Sequence, residues 1–335
     1  MENAANNFLV TASPHVKGKR SVQSIMLDVI IALIPTFIIA VITFGFRAVL
    51  VVLVTVGSAV ISEWLYQKLM KQKTRINDLS AVITGLILAF SIPVGVPLWL
   101  PVVGSFFAIV LVKQIFGGIG QNFMNPAMAG RAFLLGAYAL PMTTFIYGRE
   151  LLTDGTVGPT PLTYLYANVV NGYAWNVPFS GTGQYWWQMF LHNPNSALGE
   201  VSALALIAGG IYLVIRKVIS LRMPLFFIAA LALTTWIFRG EALFTGQPLF
   251  ELALGGAMLG AFFIITDYST SPMSVLGQII FAVGVGALTG IIRLWATFPE
   301  GLSYAVLLMN LLVPLIDKFI KPRVYGTQKV KKEAA

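Results

Sequence analysis

The chain contains no cysteine and only two histidines, His15 and His192, among its 335 residues. Disulfides, cysteine-ligated iron–sulfur clusters and thiol catalysis are therefore excluded. Two histidines are also too few for a histidine-built metal or haem site. If the chain transfers electrons, the carrier must be an organic cofactor or must reside on a partner protein.

Charged side chains are scarce as well. They make up 10% of the chain and hydrophobic residues make up 57%, whereas a soluble domain carries about 25% charged residues. The composition therefore predicts a polytopic membrane protein. The net charge is +9, and in a soluble protein such a basic excess would suggest nucleic acid as the partner.

The basic residues instead follow a topological pattern. Ten apolar segments lie between residues 25 and 320, taking about 20 residues for each bilayer crossing. Eighteen of the 22 Lys and Arg residues fall on the side of the two termini; the others are Arg47, Arg149, Arg239 and Arg293. Cytoplasmic loops carry such an excess, so we expect both termini in the cytoplasm of a bacterium or archaeon, with the chain in its cytoplasmic membrane. The membrane topology then explains the net charge, and nucleic acid is not needed as a partner to explain it.

The span count predicts an all-α polytopic membrane protein with about ten transmembrane helices in two inverted five-helix repeats. We expect residues 1–141 to form the first repeat, residues 142–199 a long external loop, and residues 200–335 the second repeat. An odd number of spans in each repeat forces the two copies into opposite orientations. Each half has a glycine-rich segment, 116–122 and 255–260, in which glycines are expected to let helices approach closely.

Polar residues at membrane depth are costly unless they are paired or line a cavity, so they are candidate site residues. One cluster contains Asn122, Asn125 and Arg131. Asn125 before Pro126 predicts a helix start, and capping alone explains both residues. Amide donors at a helix N-terminus equally suit a ring carbonyl or an anion.

Acidic residues also lie near the predicted cytoplasmic ends of the spans. For Asp28, Glu63 and Asp78 the simplest role is pairing with the nearby lysines. Asp267 follows a span directly, and it is either a helix cap or a cation ligand.

The predicted external loop contains the polar, turn-forming segment Asp154 to Leu162. Pro159 and Pro161 flank Thr160, and each proline biases the residue before it toward an extended backbone. The Thr160 hydroxyl is thereby held on a stiff, non-helical segment. This arrangement suits either an ordinary surface turn or an attachment point for a covalently bound group.

On its ten-span layout the chain resembles the RnfD family, the membrane subunits of that name in the Rnf electron-transport complex, which are related to NqrB of the sodium-translocating NADH:quinone reductase. The resemblance covers nearly the whole chain and includes Ser13-Pro14-His15 near its start. The segments that carry it occur in the order of the family and are 78–85, 116–127, 154–162 and 266–272.

The resemblance implies that FMN is joined through its phosphate to Thr160. In the family the acceptor threonine lies in an Asp-x-x-Ser/Thr-Gly-Ala-Thr motif. Asp154, Gly158 and Thr160 match that motif, while Val157 and Pro159 depart from it. A phosphoester needs only a hydroxyl on an accessible loop, so the lack of cysteine and histidine is no obstacle.

The resemblance also implies a second, non-covalent flavin, riboflavin, beside Asn122 and Asn125. Arg131, one turn further in, would add a positive charge. The chain would pass electrons between the two flavins in an ion-translocating complex that links ferredoxin and NAD and moves sodium or protons. Its partners would be membrane lipid and the other subunits, including an external FMN-carrying subunit and iron–sulfur subunits.

A channel or transporter is the alternative from the residues alone. Inverted five-span repeats also occur in channels of the urea and ammonium kind, and the polar clusters would then line a pore. A scaffold subunit without flavin is a third interpretation. Covalently bound, fluorescent flavin distinguishes the first interpretation from the other two.

Overall fold

The chain folds into a bundle of helices in the computed structural model, which confirms the predicted helical class. Asp154 and Thr160 lie outside the described part of the chain, as does most of the predicted external loop. The described residues are 21–146, 157–158, 189–193, 196–239, 243–246, 248–296 and 300–321.

The first half begins with two long helices that meet at Gly45, whose positive φ of 66° allows the sharp turn between them. A single 3-10 turn, Ile76–Asp78, precedes the third helix. The fourth helix continues as a π-helical stretch, Phe107–Gln114. The helices are α1 (Val22–Phe44), α2 (Phe46–Leu69), α3 (Ser80–Phe90), α4 (Trp99–Phe106), α5 (Pro126–Ala137) and α6 (Ala139–Thr143).

After α6 the chain forms a short antiparallel pair of strands, β1 (Phe145–Ile146) and β2 (Val157–Gly158). The second half is again helical, with a second π-helical stretch at Gly260–Ile264. Its helices are α7 (Ala203–Ile215), α8 (Arg222–Phe238), α9 (Pro248–Ala253), α10 (Ala257–Leu259), α11 (Val275–Trp295) and α12 (Leu302–Phe319).

The long helices present apolar side chains outward, as a lipid environment requires. On α1 the exposed residues recur every three or four positions, which places them on one face of the helix, while Ala32 and Leu33 are buried on the other. Within the described residues, α1, α2, α11 and α12 are long and apolar enough to cross a bilayer. The exposed apolar residues of α1 include Leu27, Ile31, Ile34, Ile38 and Ile42.

The third apolar segment, roughly residues 79–93, forms α3 and the turn that follows it. Helix α3 ends at Phe90, three residues before Pro93, because a proline disfavours helical backbone in the residue before it. The carbonyls of Phe90 and Ile92 accept hydrogen bonds from the N–H groups of Gly199 at 2.7 Å and Leu198 at 3.2 Å. Residues 196–201 are buried, so the predicted boundary at residue 199 falls inside the bundle rather than on its surface.

The glycine-rich segments do not have the predicted helix-packing role throughout. Gly117, Gly118 and Gly120 lie in the loop after the first π-helical stretch, with φ angles of 114°, 92° and 83°. Gly255 and Gly256 also have positive φ. Residues other than glycine rarely adopt this backbone conformation. These glycines therefore form turns.

The two halves share one hydrophobic core. The main cluster joins Leu33 and Met128 of the first half to Phe227 and Phe281 of the second. Across the halves, α1 packs against α7, and α5 packs against α12. The core therefore brings residues from both halves together, and these residues surround an internal cavity that is described below.

Candidate functional site

A cavity lies between the two halves, where α1, α3 and the start of α5 face the end of α7 and the second π-helical stretch. The space free of protein atoms in and at the mouth of the cavity is about 820 Å³, open solvent included. Its walls are mostly apolar, with residues such as Ile83, Ile87, Phe262 and Phe263. We refer to it as the central cavity.

Polar groups enter the central cavity from both halves of the chain. The first half supplies two amides and one cation, and the second half supplies a hydroxyl-rich turn with one carboxylate. A largely apolar cavity with a few polar groups that fix orientation is typical of cofactor sites. The polar lining residues are Ser80, Thr84, Lys113, Asn122, Asn125, Thr266, Asp267, Tyr268 and Ser269.

Asn125 is the helix cap that the sequence predicts, and it also lines the cavity. Its Oδ1 accepts hydrogen bonds from the N–H groups of Ala127 at 3.1 Å and Met128 at 3.2 Å, which satisfies two donors at the start of α5. The side chain is buried. Within the described residues its Nδ2 makes no hydrogen bond, so this amide donor is open to a ligand in the cavity.

The start of α5 is fixed to the second half through Asn310 of α12. The N–H of Asn125 donates to Asn310 Oδ1 at 3.0 Å, and Asn310 Nδ2 donates to the carbonyl of Thr270 at 3.0 Å. Asn122 Nδ2 donates to the carbonyl of Met124 at 3.1 Å, which shapes the loop before α5. These bonds hold the amide cluster opposite the turn that contains Asp267.

Asp267 stabilises the turn after the second π-helical stretch and does not cap a helix, since the N-cap of α11 is Ser274. Its carboxylate accepts from the N–H of Ser269 at 3.0 Å, from Ser269 Oγ at 2.8 Å and from Thr270 Oγ1 at 3.2 Å. Burial raises the pKa of Asp267, and these hydrogen bonds oppose the rise. Among the described residues there is no cluster of three or more His, Cys, Asp or Glu side chains. The cation contact at Asp267 stays a prediction.

Tyr268 follows Asp267 and places its phenol at the same cavity. Burial, and then the neighbouring charge of Asp267, raise the pKa of Tyr268 to about 12. The phenol is therefore protonated at neutral pH and is able to donate a hydrogen bond.

Lys113 is a cavity residue whose role the sequence did not indicate. It lies on the first π-helical stretch, is 3% exposed, and forms an ion pair with Glu63 of α2, with 3.0 Å between Nζ and Oε1. Glu63 does pair with a lysine, but the prediction of a lysine nearby in the sequence is wrong. The partner lies fifty residues away along the chain, so only the fold identifies it.

Arg131 does not line the central cavity. Its guanidinium is buried, donates to Ser303 Oγ at 3.2 Å, and forms an ion pair with Glu300. Six residues separate it from Asn125, which is about 9 Å along a helix. The predicted role beside the amides therefore needs correction: Arg131 joins α5 to the start of α12.

The attachment segment is described only at β2. Gly158 pairs with Phe145 and Val157 pairs with Ile146, so the chain returns beside the end of α6 at the predicted motif. Thr160 and Asp154 lie outside the described residues. Their predicted roles stay predictions.

The fold and the cavity together define a helical membrane protein with several apolar spans and an internal, mostly apolar cavity. The chain belongs to the NQR2, RnfD, RnfE family, whose family model matches residues 9–326. Three relatives show the degree of similarity within this family, and each is the subunit designated D of its complex.

The first relative belongs to the Na(+)-translocating ferredoxin:NAD(+) oxidoreductase complex of Acetobacterium woodii. The two chains are 46% identical, and the alignment covers 98% of each. The relative from the proton-translocating ferredoxin:NAD(+) oxidoreductase complex of Clostridium ljungdahlii is 40% identical, over 97% of this chain and 98% of the relative. The relative from the ion-translocating oxidoreductase complex of Stutzerimonas stutzeri is 38% identical, over 92% of this chain and 93% of the relative.

Proposed function

We propose that this chain is the flavin-carrying membrane subunit of an ion-translocating ferredoxin:NAD oxidoreductase complex. It passes electrons between FMN bound covalently to Thr160 and riboflavin bound in the central cavity, and this electron flow is coupled to sodium or proton movement. The supporting observation is that the cavity brings Asn122 and Asn125 of one half against Asp267 of the other. The similarity to subunits of such complexes over nearly the full length supports the same assignment.

The properties of the central cavity fit a flavin ring. Isoleucine and phenylalanine side chains offer apolar walls to a flat aromatic system, and the free Nδ2 of Asn125 offers a donor to a ring carbonyl. The positive end of the α5 dipole favours negative charge on a reduced ring. When bound, the flavin supplies the electron-transfer chemistry, and the protein supplies position and electrostatics.

Each predicted site residue has a place in this proposal. Asn125 holds the ring through Nδ2, and Asn122 shapes the loop that carries it. Asp154 and Gly158 belong to the motif around the Thr160 acceptor. Arg131 belongs to the site only indirectly, since it fixes α5 against α12.

The proposal includes the ten-span layout with two inverted repeats. The packing partners correspond between halves: α2 packs against α3 and α4, as α8 packs against α9 and α11. Helix α5 and helix α12 occupy equivalent places and contact each other. With residues 1–141 and 200–335 as repeats, both termini are cytoplasmic and the 142–199 loop is external, in the cytoplasmic membrane.

The other subunits of the complex are the partners in this proposal. An external FMN-carrying subunit is placed to reach Thr160 from outside, and iron–sulfur subunits connect the flavins to ferredoxin and NAD. A stand-alone urea-type or ammonium-type channel explains the cavity but does not explain the similarity to subunits of oxidoreductase complexes. The electron-transfer role is therefore favoured.

The decisive experiment uses the purified complex on a denaturing gel. We expect this subunit to keep flavin fluorescence after denaturation, to lose it in Thr160→Ala, and to keep it in the matched variant Thr156→Ala. Peptide mass spectrometry of residues 150–171 then locates the FMN. If fluorescence survives in Thr160→Ala and disappears in Thr156→Ala, the acceptor is Thr156 and the assignment to Thr160 is wrong. If the native subunit and both variants lack fluorescence, covalent flavin is excluded.

A further inference from the structure

A second cavity adjoins the central cavity on the side of the loop between α2 and α3. The space free of protein atoms in it and at its mouth is about 750 Å³, open solvent included, and we refer to it as the vestibule. Ile119 lines both cavities, so a single side chain separates them at that point. The vestibule is polar, and its lining includes Glu63, Gln67, Lys73, Arg75, Asp78 and Gln114.

A chain of hydrogen bonds connects the vestibule to the central cavity. Lys113 Nζ donates to Glu63 Oε1 at 3.0 Å and Oε2 at 3.1 Å, and to Ser80 Oγ at 2.6 Å. Ser80 Oγ in turn donates to Asp78 Oδ1 at 2.6 Å. Glu63 and Asp78 line the vestibule, whereas Ser80 and Lys113 line the central cavity. Each step between the two spaces is a single hydrogen bond.

The polar groups around Glu63 hold its carboxylate firmly in this chain. Gln114 Nε2 donates to Glu63 Oε1 at 2.5 Å, and Gln67 Nε2 donates to the same oxygen at 3.3 Å. The buried Glu63–Lys113 pair adds little net stability, because removing two charges from water offsets their attraction. A purely structural pair also has no need to be in contact with two cavities at once.

Lys113 is the one cationic side chain among the described residues that line the central cavity. Its ammonium group is therefore able to deliver a proton to an electron-rich ligand there while the amine that remains is neutral. The other charged or titratable groups that line the two cavities around Lys113 and Glu63 are Lys73, Arg75, Asp78, Asp267 and Tyr268. Of these, Asp267 and Tyr268 face the central cavity and the rest face the vestibule.

We propose that Lys113 and Glu63 form a proton relay from the vestibule to the flavin in the central cavity. This relay rests on the proposed flavin site. When two electrons arrive from the covalently bound FMN, an N–H bond of the Lys113 ammonium breaks and its proton forms an N–H bond on the ring. Glu63 takes one proton from vestibule water and passes it to the neutral Lys113 amine. The net uptake is one proton for two electrons, and the ion pair is restored.

The first test asks whether the vestibule is open to water. The chain has no cysteine, so Gln114→Cys gives the complex, in membranes, a single reactive thiol in this chain at the vestibule wall. We expect a small methanethiosulfonate reagent to modify this thiol. In the matched control Met128→Cys, the thiol replaces a fully buried core residue and should stay unmodified. An unreactive thiol at position 114 contradicts a water-filled vestibule.

The second test measures proton uptake by the bound flavin. The purified complex is reduced rapidly, and absorbance follows the conversion of the unprotonated reduced ring to its protonated form. We expect this conversion to be about 100-fold slower in Lys113→Met and Glu63→Gln, the usual contribution of a positioned proton donor. A small weak acid that diffuses into the vestibule should accelerate it in Glu63→Gln and leave the native rate unchanged.

Glu251→Gln is the matched control. Glu251 is another buried carboxylate, paired with Arg239 and Arg293, and it lines neither cavity, so this variant should keep the native rate. Native proton uptake in Glu63→Gln with normal flavin content overturns the relay. If Lys113→Met loses the flavin, Glu63→Gln decides alone, because Glu63 does not line the central cavity. Absence of non-covalent flavin from the native complex overturns the proposed function, and the relay with it.

Discussion

At the scale of single residues, Asn125 combines two functions that its side chain is able to perform at once. The oxygen caps α5, and the nitrogen is left for the central cavity. Serine at an N-cap keeps an oxygen acceptor but removes the amide donor. A substitution to serine therefore separates the structural role from the binding role.

We predict that Asn125→Ser weakens non-covalent flavin binding by about tenfold, the loss expected for one hydrogen bond. FMN on Thr160 should be unaffected, because it is held by a covalent bond. Extraction of non-covalent flavin from the purified variant, followed by quantification against the covalent flavin on the gel, measures both. Ser274→Ala is the control: it removes the cap of α11 without touching the cavity, and its flavin content should be native. Full retention of riboflavin in Asn125→Ser would refute the proposed contact.

The cap of α5 could be predicted from the sequence because an asparagine followed by proline is a local signal. The partners of buried charges could not be predicted in the same way. Asp28 receives hydrogen bonds from Arg216 and Tyr212 of α7, and Arg131 contacts Ser303 and Glu300. These contacts join the two halves of the chain, so they depend on the packing of distant helices.

At the scale of helices, close packing is concentrated at a few glycines. On α11, a Cβ at Gly286 would lie 2.5 Å from the carbonyl oxygen of Phe227 and 2.9 Å from Ala230 Cβ, both on α8. These distances leave no room for a methyl group between the two helices. On α2, a Cβ at Gly57 would meet nothing within 4 Å.

We predict that Gly286→Ala destabilises the protein by about 1–3 kcal/mol, because the added methyl group forces α8 and α11 apart. The same substitution at Gly57 should be neutral or stabilising by up to about 1 kcal/mol, since alanine favours helix. Thermal unfolding of the two variants in one detergent provides the comparison. Equal shifts of the midpoint temperature would mean that the α8–α11 contact is not tightly packed.

The end of α3 depends on a segment that is distant in the sequence. Helix α3 ends at Phe90, and the carbonyls of Phe90 and Ile92 accept hydrogen bonds from the N–H groups of Gly199 and Leu198. A backbone break at membrane depth is tolerated when it is buried in protein. The partner segment lies about a hundred residues away, so the hydropathy of the apolar run does not predict this contact.

At the scale of the whole molecule, orientation decides which cavity faces which compartment. The vestibule is bordered by the loop between α2 and α3, which contains Lys71, Lys73 and Arg75. Basic loops are retained in the cytoplasm, so protons taken up through the vestibule would come from the cytoplasm. In the proposed topology, the loop with the proposed FMN acceptor Thr160 lies at the opposite ends of the spans.

The last prediction tests this orientation with two single-cysteine variants in intact cells. Thr182→Cys, in the predicted external loop, should react with a membrane-impermeant thiol reagent without lysis. Gln72→Cys is exposed beside the vestibule, and it should react only after the cells are opened. The native chain has no cysteine, so any label on this subunit reports the introduced thiol. The reverse pattern would invert the topology and place the vestibule outside, in which case the relay would take its protons from the external side.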